Sequence, residues 1–196
     1  MSKIIKPSFE VVPAVTTIKV GDKVYNASPV GPGNWHQVRL GDYGEGFKQG
    51  TFGDNLTLVH AAYLNRDSRE AKGVVKLVQN NWLTGNTALY GGKDLIYAVD
   101  FPEVRDGRIV IDEKGLNAKL GSKQEGEVIF GKGVRALSRS QVRHGEYNPS
   151  EALKSAYPIL ITGDEEASEK TAQILKPGTE IKFHPLDIIA IWEDKK

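Results

Sequence analysis

The stretch Thr-Ala-Leu-Tyr-Gly-Gly-Lys-Asp-Leu-Ile-Tyr-Ala-Val-Asp, residues 87–100, is the clearest guide to the fold. Two runs rich in aliphatic and aromatic residues flank the turn-forming residues Gly91-Gly92-Lys93-Asp94, which predicts a β-hairpin. A third apolar run, Ile109-Val110-Ile111, follows the turn-like Asp106-Gly107. Strands this close along the chain predict an antiparallel meander.

Helices are predicted on both sides of this hairpin. Upstream, apolar residues recur at helical spacing from Asp54 onwards and again over residues 67–82. Downstream, Asn148-Pro149-Ser150-Glu151 has the cap, proline and glutamate of a helix start, and another helix is predicted after Gly163-Asp164. The other apolar runs predict strands, namely residues 9–12, 16–20, 24–25, 128–130, 159–162, 180–183 and 188–192. The expected fold is α+β: one two-layer domain spanning residues 1–196, with a mostly antiparallel sheet and about three to five helices packed against it.

Residues 31–53 form a glycine- and aromatic-rich segment in which seven of 23 positions are glycine. This density predicts loops and short strands, including one near residues 35–40. Loops often carry binding residues, so Trp35 and Tyr43 are candidate contacts for a ligand or a partner. The alternative is that these rings pack on the core. Residues 115–126 are also predicted to be loop, and residues 134–143 a short helix or irregular structure.

Composition excludes several classes of protein. Lys and Arg number 26 against 25 Asp and Glu, so the chain lacks the strong basic field of a dedicated nucleic-acid or membrane-surface binder, although a local basic patch is compatible with this balance. The absence of cysteine excludes disulfides, thiolate catalysis and cysteine-bound zinc. No apolar run has the length of a signal peptide or a membrane helix, so we expect a cytoplasmic protein without a membrane partner.

Two acidic positions and a lysine suggest metal chemistry. Asp100 ends one predicted strand, and Asp112-Glu113-Lys114 ends the next. On a strand, Asp112 and Lys114 would project from one face. This spacing resembles the Asp…(Asp/Glu)-x-Lys signature of the restriction-endonuclease-like nucleases. The resemblance implies Mg²⁺ bound by Asp100 and Asp112, with Lys114 helping to activate a water for phosphodiester attack. The competing interpretation is that the aspartates cap turns and Lys114 is solvated.

A second candidate is a run of arginines. Arg135, Arg139 and Arg143 recur every four residues, so a helix there would carry a basic stripe suited to phosphates or to nucleic acid. A solvated charged face is the alternative interpretation.

Other catalytic patterns are missing from the sequence. The four histidines are far apart, and no phosphate-binding loop, dinucleotide fingerprint or nucleophile elbow occurs. The leading hypothesis is therefore a protein that is not an enzyme and needs no cofactor, and that binds a macromolecular partner or forms a homo-oligomer. The alternatives are the Mg²⁺-dependent nuclease, and a small-molecule binder whose pocket is walled by Trp35, Tyr43 and Trp82.

Overall fold

The computed structural model describes residues 9–12, 17–26, 35–80, 85–142, 145–177 and 181–183. The α-helices in these ranges are α1 (Trp35–Arg39), α2 (Phe52–Leu64), α3 (Arg69–Asn80), α4 (Glu113–Lys119), α5 (Pro149–Lys154), α6 (Tyr157–Thr162) and α7 (Ala167–Ile174). The strands are β1 (Phe9–Val12), β2 (Thr17–Val20), β3 (Lys23–Asn26), β4 (Thr87–Gly91), β5 (Leu95–Asp100), β6 (Val104–Arg105), β7 (Arg108–Ile109), β8 (Leu120–Glu125), β9 (Val128–Gly131) and β10 (Val134–Ser138). None of the helices described is both long and apolar enough to span a membrane.

The largest sheet has five antiparallel strands in the order β4-β5-β10-β9-β8. The predicted hairpin forms its β4–β5 pair, in which Tyr90 lies opposite Tyr97 and the two rings stack with centroids 5.9 Å apart. Together with the helices, this sheet confirms the predicted α+β class. The meander differs from the prediction: the run at residues 109–111 contributes only β7 to a separate two-stranded sheet, and β10 pairs with β5 instead.

The two faces of this sheet are covered differently. On one face, Ile96 and Leu137 pack in a buried cluster with Leu160 of α6 and Tyr157 at its start. On the other face, Tyr97 packs in a second cluster that includes a leucine from α4. The first face is therefore the main core, where α5, α6 and α7 meet the sheet.

A smaller sheet, β1-β2-β3, packs against α2. Its turn contains Gly21, whose φ of +62° is a backbone conformation that glycine adopts without strain. Ile18 and Val20 are buried against Ala61, and Val74 of α3 joins their cluster. Contacts with α3, α6, α7 and this cluster place α2 at the centre of the helical layer, with α3 at its side.

The starts of α2 and α5 follow the capping rules. At α5, Asn148 and Glu151 form the predicted reciprocal pair of hydrogen bonds. At α2, the cap is Thr51, three residues before Asp54, where the sequence predicts the helix to begin. Asp54 closes the capping box by accepting a hydrogen bond from the Thr51 backbone N–H at 2.7 Å.

Five local predictions are wrong. Residues 35–39 are helical rather than extended, and residues 134–138 form a strand. The stretch predicted as loop at 115–126 contains most of α4 and all of β8. The apolar run 159–162 belongs to α6, since an apolar run this short does not distinguish a buried strand from a buried helix. The segment at 40–51, by contrast, has neither helix nor strand, in keeping with the predicted loop. Residues 181–183 are not a strand, and the strand predicted at 188–192 lies outside the described residues.

Candidate functional site

Asp100 and Arg135, predicted to act separately, bind each other. They lie on neighbouring strands, and the Arg135 guanidinium donates two hydrogen bonds to the Asp100 carboxylate, at 2.5 and 2.9 Å. Their side chains are only 18% and 7% exposed. Arg135 is therefore buried inside the fold and does not present a cation to a phosphate at the surface. Asp100 would have to release Arg135 to bind a metal ion.

The other two residues of the nuclease hypothesis lie at a helix start. Asp112 precedes α4 as its N-cap residue, and Lys114 is within that helix. The premise that these two side chains share the face of a strand is therefore wrong. Both residues are exposed. Across the described ranges, no three His, Asp or Glu side chains are grouped so that they could hold a metal ion.

The predicted basic helix at residues 135–143 does not form. Arg135 is in β10, and Arg139 begins a single 3₁₀ turn that ends at Gln141. Arg139 donates a hydrogen bond to the backbone oxygen of Gly92 at 3.3 Å, next to the β4–β5 turn. Arg143 lies outside the described residues. Arg135 and Arg139 therefore do not share a helical stripe, because Arg135 lies in an extended strand and Arg139 in the 3₁₀ turn that follows it.

The aromatic candidates are only partly described. Trp35 begins α1, but its side chain and the whole of Trp82 lie outside the described residues. Tyr43 is half-buried in the 40–51 loop, where its hydroxyl donates to the Val38 backbone oxygen at 2.7 Å and burial raises its pKa. Its own backbone oxygen accepts a hydrogen bond from Asn26 at 2.8 Å. These contacts tie Tyr43 to α1 and to β3.

A cavity of about 220 Å³ lies at the start of α2, against the end of α6. It is lined by polar and glycine residues, namely Lys23, Thr51, Gly53, Asp54, Thr57, Thr162, Gly163 and Asp164. Burial alone would raise the pKa of Asp54, but hydrogen bonds from Lys23 and Thr51 outweigh it and hold this pKa below its ordinary value. Both carboxylates that line the cavity are bonded to lysines within the protein, Asp54 to Lys23 and Asp164 to Lys170.

The exposed face of α3 is the clearest concentration of available charge in the described residues. Its members are Arg69, Lys72, Gly73, Lys76 and Asn80, which we call the basic face. They recur at helical spacing, so they line one side of the helix over about 16 Å. The three cations make no ion pair with any described residue, and the face includes no carboxylate. Arg66, one turn earlier, lies 5.2 Å from the ring of Tyr63.

The opposite side of α3 fixes this orientation. Ala71 is fully buried, and Val74 and Val78 pack against a cluster formed by α2 and α7. At the helix start, the Ser68 hydroxyl accepts a hydrogen bond from the Ala71 N–H at 3.2 Å. Since the apolar stripe is anchored, the basic face is held towards solvent and the three cations cannot turn inward.

The sequence contained the signal for this surface. The apolar stripe predicts the helix over residues 67–82, and Arg69, Lys72 and Lys76 follow i, i+3, i+7 on its other side. The arginine run at 135–143 looked more basic because no acid interrupts it. It was misleading because burial of Arg135 depends on Asp100, 35 residues away.

A scan against protein-family models and searches of curated proteins and solved structures found no match to this chain. The chemistry of the basic face therefore has to be inferred from its own residues.

Proposed function

We propose that this domain is a non-catalytic nucleic-acid-binding module that contacts the phosphate backbone through the basic face of α3. The observation that supports the proposal is the exposed row of Arg69, Lys72 and Lys76. These cations make no ion pair with the residues that the structure describes, and the exposed positions of α3 include no carboxylate. Cations that are not neutralised within the protein release counterions from nucleic acid when they meet phosphates, and this release favours binding.

Nucleic acid suits this surface better than an acidic protein does. Protein interfaces have an apolar or aromatic centre surrounded by a polar rim. The basic face has no apolar side chain: besides its cations it exposes only Gly73 and Asn80. Arginine, lysine and asparagine are side chains that commonly contact phosphate and sugar. The composition of the face therefore fits a backbone contact.

The near-neutral charge of the whole chain limits the strength of this contact. With a formal net charge of +1, long-range attraction is weak and binding depends on the few cations of one face. Three phosphate contacts without base recognition correspond to non-specific binding, with Kd values of about 10⁻⁴–10⁻⁶ M at physiological salt. We expect binding that is insensitive to sequence and readily abolished by salt.

The test is fluorescence anisotropy at low salt with labelled DNA and RNA duplexes. The Arg69→Ala/Lys72→Ala/Lys76→Ala variant should bind about tenfold or more weakly, because it removes all three phosphate contacts. A matched control, Lys93→Ala/Lys119→Ala/Lys132→Ala, removes the same charge from exposed sites elsewhere and should bind as the unmodified protein does.

Two results would overturn the proposal. If the control weakens binding as much as the α3 variant does, net charge rather than the basic face governs binding. If polyglutamate competes as effectively as unlabelled duplex, the face recognises acidic polypeptides and the assignment to nucleic acid is wrong.

A further inference from the structure

Gly73 occupies the middle of the basic face, in the interior of α3. It is exposed, and a Cβ built on it would meet no atom within 4 Å. Among the described residues, no other helix approaches Gly73 closely.

Other glycines of this fold are required by close packing or by their backbone conformation. A Cβ on Gly53 would lie 2.4 Å from the backbone oxygen of Thr162, and one on Gly85 would lie 2.3 Å from the backbone nitrogen of Phe52. Gly21 and Gly126 have positive φ. Gly73 has neither a close neighbour nor a positive φ, although glycine in a helix interior is less stable than alanine.

We propose that Gly73 is a positioning residue at which the nucleic-acid backbone comes closest to α3. This inference rests on the proposed function. Arg69 and Lys76 are helical neighbours of Gly73 at i−4 and i+3, so they stand on either side of the gap that the missing side chain leaves, and the half-buried Glu70 is its neighbour at i−3. A phosphate in this gap lies close to the helix surface, where both side chains can bracket it with charge-assisted hydrogen bonds.

A side chain at position 73 should have different effects on binding and on stability. A side chain at position 73 would displace the phosphate outward, so the contact weakens although all three cations remain. The same side chain improves the helix, since it contacts nothing and removes the flexibility of glycine. Stability and binding should therefore change in opposite directions.

The experiment compares Gly73→Ala and Gly73→Leu with the unmodified protein in thermal unfolding and in duplex binding over a salt series. Both variants should have a higher Tm. Binding should weaken about threefold for Gly73→Ala and about tenfold for Gly73→Leu, and the slope of log K against log salt should become shallower by about 0.9 for the lost phosphate contact. Ala118→Leu, which places the same leucine side chain at an exposed site on α4, should leave Kd and slope unchanged.

The outcomes distinguish the two proposals. If Gly73→Leu binds with the affinity and salt slope of the unmodified protein while the triple α3 variant does not, the nucleic-acid function stands and the role of Gly73 is wrong. If the triple α3 variant binds normally, both proposals are wrong. A Gly73→Leu protein that unfolds at a lower temperature than the unmodified one would contradict the premise that position 73 has no internal constraint.

Discussion

The Asp100 carboxylate and the Arg135 guanidinium form a two-point ion pair between β5 and β10, with N–O distances of 2.5 and 2.9 Å. Arg135 also donates through Nε to the Leu160 backbone oxygen at 2.6 Å and through Nη2 to that of Ile161 at 3.3 Å. These carbonyls belong to the last turns of α6, where a cation is favoured. One buried side chain thus joins the sheet to the helical layer.

Removing one partner of this pair should strongly destabilise the fold. Asp100→Asn leaves the Arg135 charge buried without a counter-charge, so we expect the free energy of unfolding to fall by about 3–5 kcal/mol. Urea denaturation measures this loss. Arg135→Met should cost a similar amount, and the double variant should cost clearly less than the sum of the two.

The exposed pair Glu103–Arg105 is the matched control for that measurement, because its side chains are 62% and 69% exposed. Glu103→Gln should change the free energy of unfolding by about 0.5 kcal/mol or less. A loss below about 1 kcal/mol for Asp100→Asn would show that the pair is not the buried junction described above.

Two helical glycines should respond to alanine with opposite signs. Gly73→Ala should raise the free energy of unfolding by about 0.5–1 kcal/mol, because the methyl group meets no neighbour. Gly53→Ala should lower it by about 1–3 kcal/mol, because the methyl group would clash with the backbone oxygen of Thr162. Chemical denaturation of both variants tests the packing of α2 and α3, and equal signs would contradict it.

Asp54 should make a pH-dependent contribution to stability. Its pKa is lower in the folded protein than in the unfolded chain, so its contribution is complete above about pH 4 and is lost as the pH falls through the lower folded value. Asp54→Ala should cost about 1 kcal/mol at pH 7, through the capping box and the Lys23 contact. The cost should shrink in acid.

Thermal unfolding of the Asp54→Ala variant between pH 2 and pH 7 measures this dependence. Asp67→Ala, at an exposed site in the α2–α3 turn, is the control, with an expected change of about 0.5 kcal/mol or less. A cost for Asp54→Ala that stays constant across this range would contradict the assigned role of the carboxylate.

Local patterns in the sequence were sufficient for the elements whose structure depends on nearby residues. The β4–β5 hairpin follows from its turn and its apolar runs, and α5 follows from Asn148 and Glu151, which bond each other. These signals lie within a few residues of the structure that they determine. Periodicity identified α2 and α3 in the same way.

The features that the sequence did not predict depend on contacts between residues far apart in the chain. Nothing near Arg135 in sequence indicates that it is buried, since its partners are Asp100 and the carbonyls of α6. Because this charged residue lies in the middle of a short apolar run, the sequence did not predict the strand β10. The same distance made Asp100 look like an available metal ligand. The basic face of α3 was predictable, because its spacing is local, once the polar side of the helix is considered with the apolar side.

The salt dependence of duplex DNA binding gives the most direct measure of how many cations act together. If Arg69, Lys72 and Lys76 each neutralise one phosphate, the slope of log K against log salt should be about −2.7, and a single-stranded ligand should give about −2.1. Each single alanine variant should make the duplex slope shallower by about 0.9, because one counterion fewer is released. Lys72→Arg should keep the slope, since it preserves the charge, whereas an unchanged slope for Lys72→Ala would mean that this cation does not meet a phosphate. Anisotropy titrations at several salt concentrations therefore count the phosphate contacts one residue at a time. A slope near zero for the unmodified protein would mean that no cation of α3 binds a phosphate, and would contradict the proposed function.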